Sequence, residues 1–126
     1  MNKIKKRIKF YLIATEPSGD VLGANLIKSI NDKKDIRADI YGVGGPKMIR
    51  AGLKKSLFPI KELSIFGIFE VFPKIFHVMS LIRKTKKDLL KKKPNFLITI
   101  DSPDFNLRVL KKIHNLMPDT RKVHYV

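Results

Sequence analysis

The 126 residues include no cysteine. Disulfides and thiolate metal sites are thereby excluded, and the composition suits a reducing compartment. Carboxylates are scarce: 11 acidic residues stand against 27 Lys and Arg, for a formal charge of +16. Nucleic acid and anionic membrane surfaces are the usual partners of such a field. Lys far outnumbers Arg, and Ile, Asn and Phe are also abundant. All have A/T-rich codons, so genome composition is a second source of the charge. No long apolar segment follows the basic N-terminus. Only Phe10 to Ala14 separate Lys9 from Thr15, with no small-residue cleavage site, so the segment reads as a first strand and not as a signal peptide. His77, His114 and His124 are not at metal-ligand spacing. The glycines do not form the six-residue dinucleotide fingerprint, so no nicotinamide cofactor is indicated.

Short apolar runs alternate with helical patterns. Residues 8–14 read as a first strand, and its apolar continuity predicts burial on both faces. A helix follows, with Ser18 or Asp20 as its cap and Val21, Leu22, Ala24, Ile27 and Ile30 as its apolar face, ending near Asn31. Residues 38–43 give a second strand, and Gly44-Gly45-Pro46 opens a short helix that Gly52 stops. Leu57-Phe58 reads as a weak third strand before Pro59. A helical stretch spans 67–92, with Pro73 expected to kink or divide it. Residues 95–100 form a fourth strand, 107–116 a helix, and 123–126 the start of a fifth strand. The alternation predicts an α/β fold: a Rossmann-like parallel sheet flanked by helices, with right-handed crossovers. The length fits one domain with its own core. No internal repeat or low-complexity segment is present. Because the sequence stops inside a strand pattern, the domain is expected to be incomplete at its C-terminal end.

Two loops concentrate the polar chemistry. Thr15-Glu16-Pro17-Ser18-Gly19-Asp20 follows the first strand, and Asp101-Ser102-Pro103-Asp104-Phe105-Asn106 follows the fourth. In open α/β sheets ligands bind outside the carboxyl ends of the strands, so both loops are expected on one rim. The first loop can present backbone N–H groups at a helix N-terminus to an anionic or hydroxyl-rich ligand. Ordinary capping by Ser18 or Asp20 is the alternative. A carboxylate at Asp101, partly shielded by the strand edge, can act as general base on a sugar hydroxyl. The alternative is that Asp101 and Asp104 only shape a turn. Asn106 can orient a ligand or cap the next helix. Gly42-Val43-Gly44-Gly45-Pro46 either lets the backbone approach a ligand or is only a tight turn.

Residues 63–82 are the most apolar region and have the length of a membrane span. Glu70, Lys74 and His77 fall inside it. A charge at mid-membrane costs roughly 2.5–3.5 kcal/mol, so two of them and Pro73 argue against spanning. At 100° per residue, Glu70, Lys74, His77 and Ser80 share one arc, and Ile68, Phe69, Phe72, Ile75, Phe76, Met79 and Ile82 cover the opposite half. That arc is wider than one sheet face requires. It suits either a core helix with a solvated basic tail or a helix dipping into a bilayer surface beside Arg83, Lys84, Lys86, Lys87, Lys91, Lys92 and Lys93.

Five ordered blocks, from about Ile8 to the last residue, resemble the amino-terminal part of the lipid-A-disaccharide synthase family, glycosyltransferases of bacterial lipid A assembly. They are Glu16-Pro17-Ser18-Gly19-Asp20-Val21-Leu22-Gly23-Ala24; Gly42-Val43-Gly44-Gly45-Pro46-Lys47-Met48; Glu62-Leu63-Ser64-Ile65-Phe66-Gly67-Ile68-Phe69-Glu70-Val71; Ile100-Asp101-Ser102-Pro103-Asp104-Phe105-Asn106; and His124-Tyr125-Val126. Pro17 stands where the family usually has Thr, a change that a loop accommodates.

The resemblance implies a GT-B architecture of two Rossmann-like domains with the active site between them. Residues 1–126 would be the N-terminal, acceptor-side domain, with the donor-binding domain absent and the isolated chain inactive. The implied reaction is inverting transfer of 2,3-diacylglucosamine from its UDP derivative to the 6-hydroxyl of 2,3-diacylglucosamine 1-phosphate. Asp101 stands at the family position proposed for the base. Glu16, Ser18, Gly19, Asp20, Gly44, Gly45, Asp104 and Asn106 are the implied substrate contacts. Ile65, Phe66, Ile68, Phe69, Phe72 and Phe76 are the implied membrane or acyl contacts. No metal or other cofactor is implied. The implied partners are the two substrates, the anionic inner-membrane surface and the missing C-terminal domain, but not nucleic acid. The implied location is cytoplasmic, peripheral on the inner membrane. Two rivals remain: another two-domain UDP-sugar enzyme, such as a nucleotide-sugar epimerase or the peptidoglycan glucosaminyltransferase, and a basic nucleic-acid-binding module. Against the second, the Lys residues are scattered and no aromatic stacking platform is evident.

Overall fold

The computed structural model describes residues 5–63 and 71–126, and of residues 71–74 the backbone alone. Among the described residues nine elements follow one another: β1 (Lys6–Ala14), α1 (Pro17–Asn31), β2 (Ile36–Val43), α2 (Pro46–Ala51), a 3₁₀ turn (Ile60–Leu63), α3 (Val71–Lys92), β3 (Phe96–Ile100), α4 (Pro103–Ile113) and β4 (Arg121–Tyr125). The strands form one sheet in the order β2-β1-β3-β4, every pair parallel. Parallel neighbours cannot be joined by tight hairpins, so helical segments must cross the sheet faces.

The continuous apolar run of β1 has the expected consequence. Phe10, Tyr11, Leu12, Ile13 and Ala14 are all buried, because each face of the strand is covered. Phe10, Leu12 and Ala14 meet Ala24, Ile27 and Ile30 of α1 and Met48 of α2. Tyr11 and Ile13 meet Leu81, Ile82 and Leu89 of α3 and Val109 and Ile113 of α4. The Tyr11 hydroxyl, which β1 sends into this second layer, donates to Asp88 Oδ2 at 2.7 Å. Burial, then that bond and the negative charge of Asp88, push the Tyr11 pKa well above the ordinary tyrosine range. The phenol therefore stays protonated and keeps its donor role.

β1, β2 and β3 end in register, Ile13 beside Val43 and Ala14 beside Ile100. The loops after β1, β2 and β3 therefore share one rim, as the two loop motifs predict.

Three local expectations are corrected. Leu57-Phe58 is not a strand. The Leu57 N–H donates to the Gly42 carbonyl at 2.8 Å, but Pro59 halts any ladder, and Phe58 instead packs edge-on against Phe105 with ring centroids 5.9 Å apart. Pro73 falls in the first described turn of α3, and the expected helical stretch before it, 67–70, lies outside the described residues. α4 begins at Pro103, four residues before the expected Leu107, because proline suits the first helical position. Finally, Val21 is exposed, and the buried face of α1 carries Gly19, Asp20 and Gly23 along with Ala24, Ile27 and Ile30. Among the described residues no helix is long and apolar enough to cross a membrane.

Candidate functional site

The turn after β3 is the most strained stretch of backbone on the rim. Asp101 and Ser102 are consecutive non-glycine residues with φ of 47° and 40°. Such conformations cost of order 1–3 kcal/mol each and persist where the surroundings impose them. Three bonds do so here. The Asp101 N–H donates to the Tyr125 carbonyl at 3.0 Å. The fully buried Asn106 amide donates to the carbonyls of Ile100, at 3.2 Å, and of Asp101, at 2.7 Å. Asn106 therefore ties the end of the strand to the first turn of α4, whose opening bond runs from the Asn106 N–H to the Ser102 carbonyl at 3.1 Å.

This arrangement holds Asp101 half-buried at the carboxyl end of a central strand. No hydrogen-bond donor among the described residues reaches its carboxylate. Two further polar atoms, Ser102 Oγ and Asn106 Oδ1, are buried without a partner among the described residues. Backbone strain and unsatisfied buried oxygens in one turn are both features that gather at working sites.

Beside this turn lies a cleft of about 270 Å³ lined by Thr15, Glu16, Leu63, Val78, Ser102, Pro103, Asp104, Phe105 and Arg108. Glu16 comes from the loop after β1, and Asp104 and Arg108 from successive turns of α4. The expected rim residues Glu16 and Asp104 are thus brought together. Asp101 adjoins the cleft through Ser102 but is not part of its lining. Arg108 was missed from sequence. Its signal was its place four residues after Asp104, hence on the same face of the helix that Pro103 opens. The cleft offers carboxylates as proton acceptors and one guanidinium as an anion partner.

The other expected contacts have different surroundings. Neither Ser18 nor Asp20 caps α1: its N-cap is Glu16, with no side-chain hydrogen bond. Asp20 is 4 % exposed and caps α2 instead. Its carboxylate accepts the backbone N–H groups of Gly45 at 3.0 Å, Lys47 at 3.1 Å and Met48 at 2.9 Å. These are three of the donors that a helix start leaves unpaired. Its oxygens are thus committed to α2. Gly45 must be glycine because a Cβ there would run into that carboxylate. The Gly44 N–H donates to Ser56 Oγ at 3.0 Å, so neither glycine N–H is free for a ligand. Both glycines line a separate, mostly apolar depression with Pro46, Ile49, Pro59 and Ile60. Gly19 is buried against β1 and β3, where a Cβ would stand 3.2 Å from that of Ala14. Ser18 is exposed on the first turn of α1.

Ile65, Phe66, Ile68 and Phe69 lie outside the described residues, as does the side chain of Phe72. Phe76 is described, and it is 69 % exposed, with Ile75 and Met79 also exposed beside it. The core-facing line of α3 runs instead through Leu81, Ile82, Thr85 and Leu89. The expected apolar arc is therefore split: Ile82 is in the core, and Ile75, Phe76 and Met79 face out. His124 Nδ1 is 2.8 Å from Thr99 Oγ1, and His77 is 3.3 Å from Glu62. Among the described residues no three potential ligands gather as a metal site.

A sequence model of the lipid-A-disaccharide synthetase family matches residues 10–126. Similar curated proteins carry the same assignment. The lipid-A-disaccharide synthase of Rickettsia bellii is 44% identical over 118 residues, which cover 94% of this chain and 30% of that protein. That of Ruegeria pomeroyi is 45% identical over 120 residues, covering 94% of this chain and 29% of that protein. That of Rhodospirillum centenum is 36% identical over 121 residues, with 96% and 30% covered. The chain thus spans about 30% of the length of the curated relatives it matches.

Proposed function

The chain belongs to the lipid-A-disaccharide synthetase family, and from that membership and the rim geometry we propose that it forms the acceptor-side part of an inverting glycosyltransferase. The donor sugar is 2,3-diacylglucosamine linked to UDP, and the acceptor is 2,3-diacylglucosamine 1-phosphate. The new bond joins the acceptor 6-oxygen to the anomeric carbon of the donor. The bond from that carbon to the UDP oxygen breaks, and UDP leaves with the electron pair. The hydroxyl proton passes to Asp101. One observation carries this reading: a half-buried carboxylate held in a strained turn at the carboxyl end of a central strand, by bonds that leave its own oxygens free among the described residues. Glu16, Asp104 and Arg108 line the adjoining cleft and position the acceptor. The donor nucleotide is held by a part of the architecture outside these residues.

The same reading places the protein at an anionic membrane surface on the cytoplasmic side, where acylated substrates reside. Support comes from the outward-facing Ile75, Phe76 and Met79, followed along α3 by Arg83, Lys84, Lys86 and Lys87. Apolar insertion beside a basic segment is the usual form of peripheral attachment.

The test is a chimera in which residues 10–126 replace the matching segment of the Rickettsia bellii relative, assayed for UDP release and disaccharide formation. The chimera is expected to make the disaccharide. On this reading the 126-residue chain alone is expected to make none, since the leaving nucleotide is held, and the cleft closed to water, by a part of the architecture outside these residues. A folded chimera without product, or turnover by the chain alone, would overturn the reading.

A further inference from the structure

We propose that the groove between α3 and α4 binds the phosphomonoester group of an acylated molecule. The groove holds about 420 Å³ and is lined by Met79, Ile82, Arg83, Arg108, Lys111 and Lys112. The two helices contribute matching triplets at i, i+3 and i+4. On α3 these are Met79, Ile82 and Arg83, and on α4 Arg108, Lys111 and Lys112. Residues at that spacing share one helix face, and the two triplets meet across the groove.

Four cations thus converge, and no carboxylate is among the described residues that line the groove. None of the four is in an ion pair among the described residues. Like charges gathered in this way destabilise the fold unless an anion offsets them. The Lys-rich composition does not account for the cluster. Arg supplies only six of the 27 basic residues, and two of those six meet here. The guanidinium fork pairs with phosphate oxygens two at a time, which an ammonium cannot do.

The surroundings define the rest of the ligand. Phe76, one turn before Met79 on α3, is 69 % exposed, and Leu107 on α4 is 58 % exposed. An apolar margin beside a tetracationic groove suits an amphiphile with acyl chains and a dianionic head. Arg108 lines both this groove and the rim cleft with Glu16, Ser102 and Asp104. A sugar in the cleft can therefore carry its phosphate into the groove. In that form the inference rests on the proposed acceptor-side role, and the phosphate is that of the acceptor. The other source of the same chemistry is the phosphomonoester headgroup of a bilayer lipid.

Binding to the 126-residue chain distinguishes these sources by calorimetry and vesicle flotation. The probes are a short-chain 2,3-diacylglucosamine 1-phosphate, its phosphate-free analogue, and phosphatidylcholine vesicles containing either phosphatidic acid, a monoester, or phosphatidylglycerol, a diester. The variants are the exposed pair Arg83→Gln with Arg108→Gln and a charge-matched control, Lys28→Gln with Lys33→Gln, on the far end of α1 and the loop after it. The groove pair is expected to weaken monoester binding about tenfold or more, as loss of charge-assisted bonds implies, and the control by less than about twofold. A loss confined to the sugar phosphate identifies the acceptor as ligand, and a loss confined to phosphatidic acid identifies the bilayer. Three results would overturn the proposal: wild-type binding by the groove pair, an equal loss in the control or on diester vesicles, or equal affinity for the phosphate-free analogue. No donor or turnover enters the measurement. A failed transfer assay therefore leaves this result standing, and a failed groove leaves the role of Asp101 standing.

Discussion

Asp101→Asn in the active chimera is expected to lower kcat by roughly 10²–10⁴-fold, the usual contribution of a general base, or about 3–5 kcal/mol of barrier. The acceptor KM is expected to stay within about threefold, because the lost interaction is made only as the proton leaves. Asn is a fair replacement at this position. It keeps the size of the side chain and tolerates the left-handed conformation that Asp101 adopts at φ 47°. It cannot accept the hydroxyl proton. Asp104→Asn is expected to cost less, since Asp104 lines the cleft on the exposed first turn of α4. Initial rates against acceptor concentration, with folding checked by circular dichroism, supply the comparison. Near-normal turnover by folded Asp101→Asn would move the base to Glu16 or Asp104, the carboxylates that line the cleft.

The second large effect falls on stability. Asp20→Ala is expected to destabilise the chain by about 3 kcal/mol or more, read from the urea midpoint. The Gly45 and Met48 bonds to Asp20 are buried, and each buried donor left without an acceptor costs roughly 1–3 kcal/mol. The Lys47 bond is partly open to water and adds less. Domains of this size are stable by only about 5–15 kcal/mol, so the loss is a substantial share. Asp20→Asn is expected to lie between wild type and Asp20→Ala, because one amide oxygen still accepts while the amide nitrogen opposes the N–H groups. An unchanged midpoint for Asp20→Ala with weakened acceptor binding would return Asp20 to the substrate contacts.

The sheet was legible because its central strands are unbroken apolar runs. Residues 8–14 and 95–100 can be satisfied only with cover on both faces, and the acidic turns that follow must then share a rim. The strained turn was visible only as composition. That Asp101 and Ser102 both adopt positive φ depends on Asn106 reaching back to two carbonyls, which no local propensity encodes. The role of Asp20 was hidden for a similar reason: its partners lie 25 to 28 residues away and meet it only when α1 packs on α2. A trace of it was present, since Asp20 stands on the same helical face as Gly23, Ala24 and Ile27. Leu57-Phe58 misled because two apolar residues carry no period, and Pro59 outweighs them. Charge alone admitted nucleic acid or membrane equally. The ordered motif blocks, not the charge, pointed to a sugar transferase.

The central claim is that the Asp101 carboxylate removes the acceptor proton. An acceptor that needs no such help tests it most directly. In the 6-thiol analogue of the acceptor, the nucleophile ionises near neutral pH by itself, as thiols with pKa of about 8.5 do. The measurement is the ratio of wild-type to Asp101→Asn chimera turnover with each acceptor. The account predicts a ratio of roughly 10²–10⁴ with the hydroxyl and a ratio falling toward one with the thiol. An equally large deficit with both acceptors would contradict it, and would show that Asp101 holds the turn or the substrate without taking the proton.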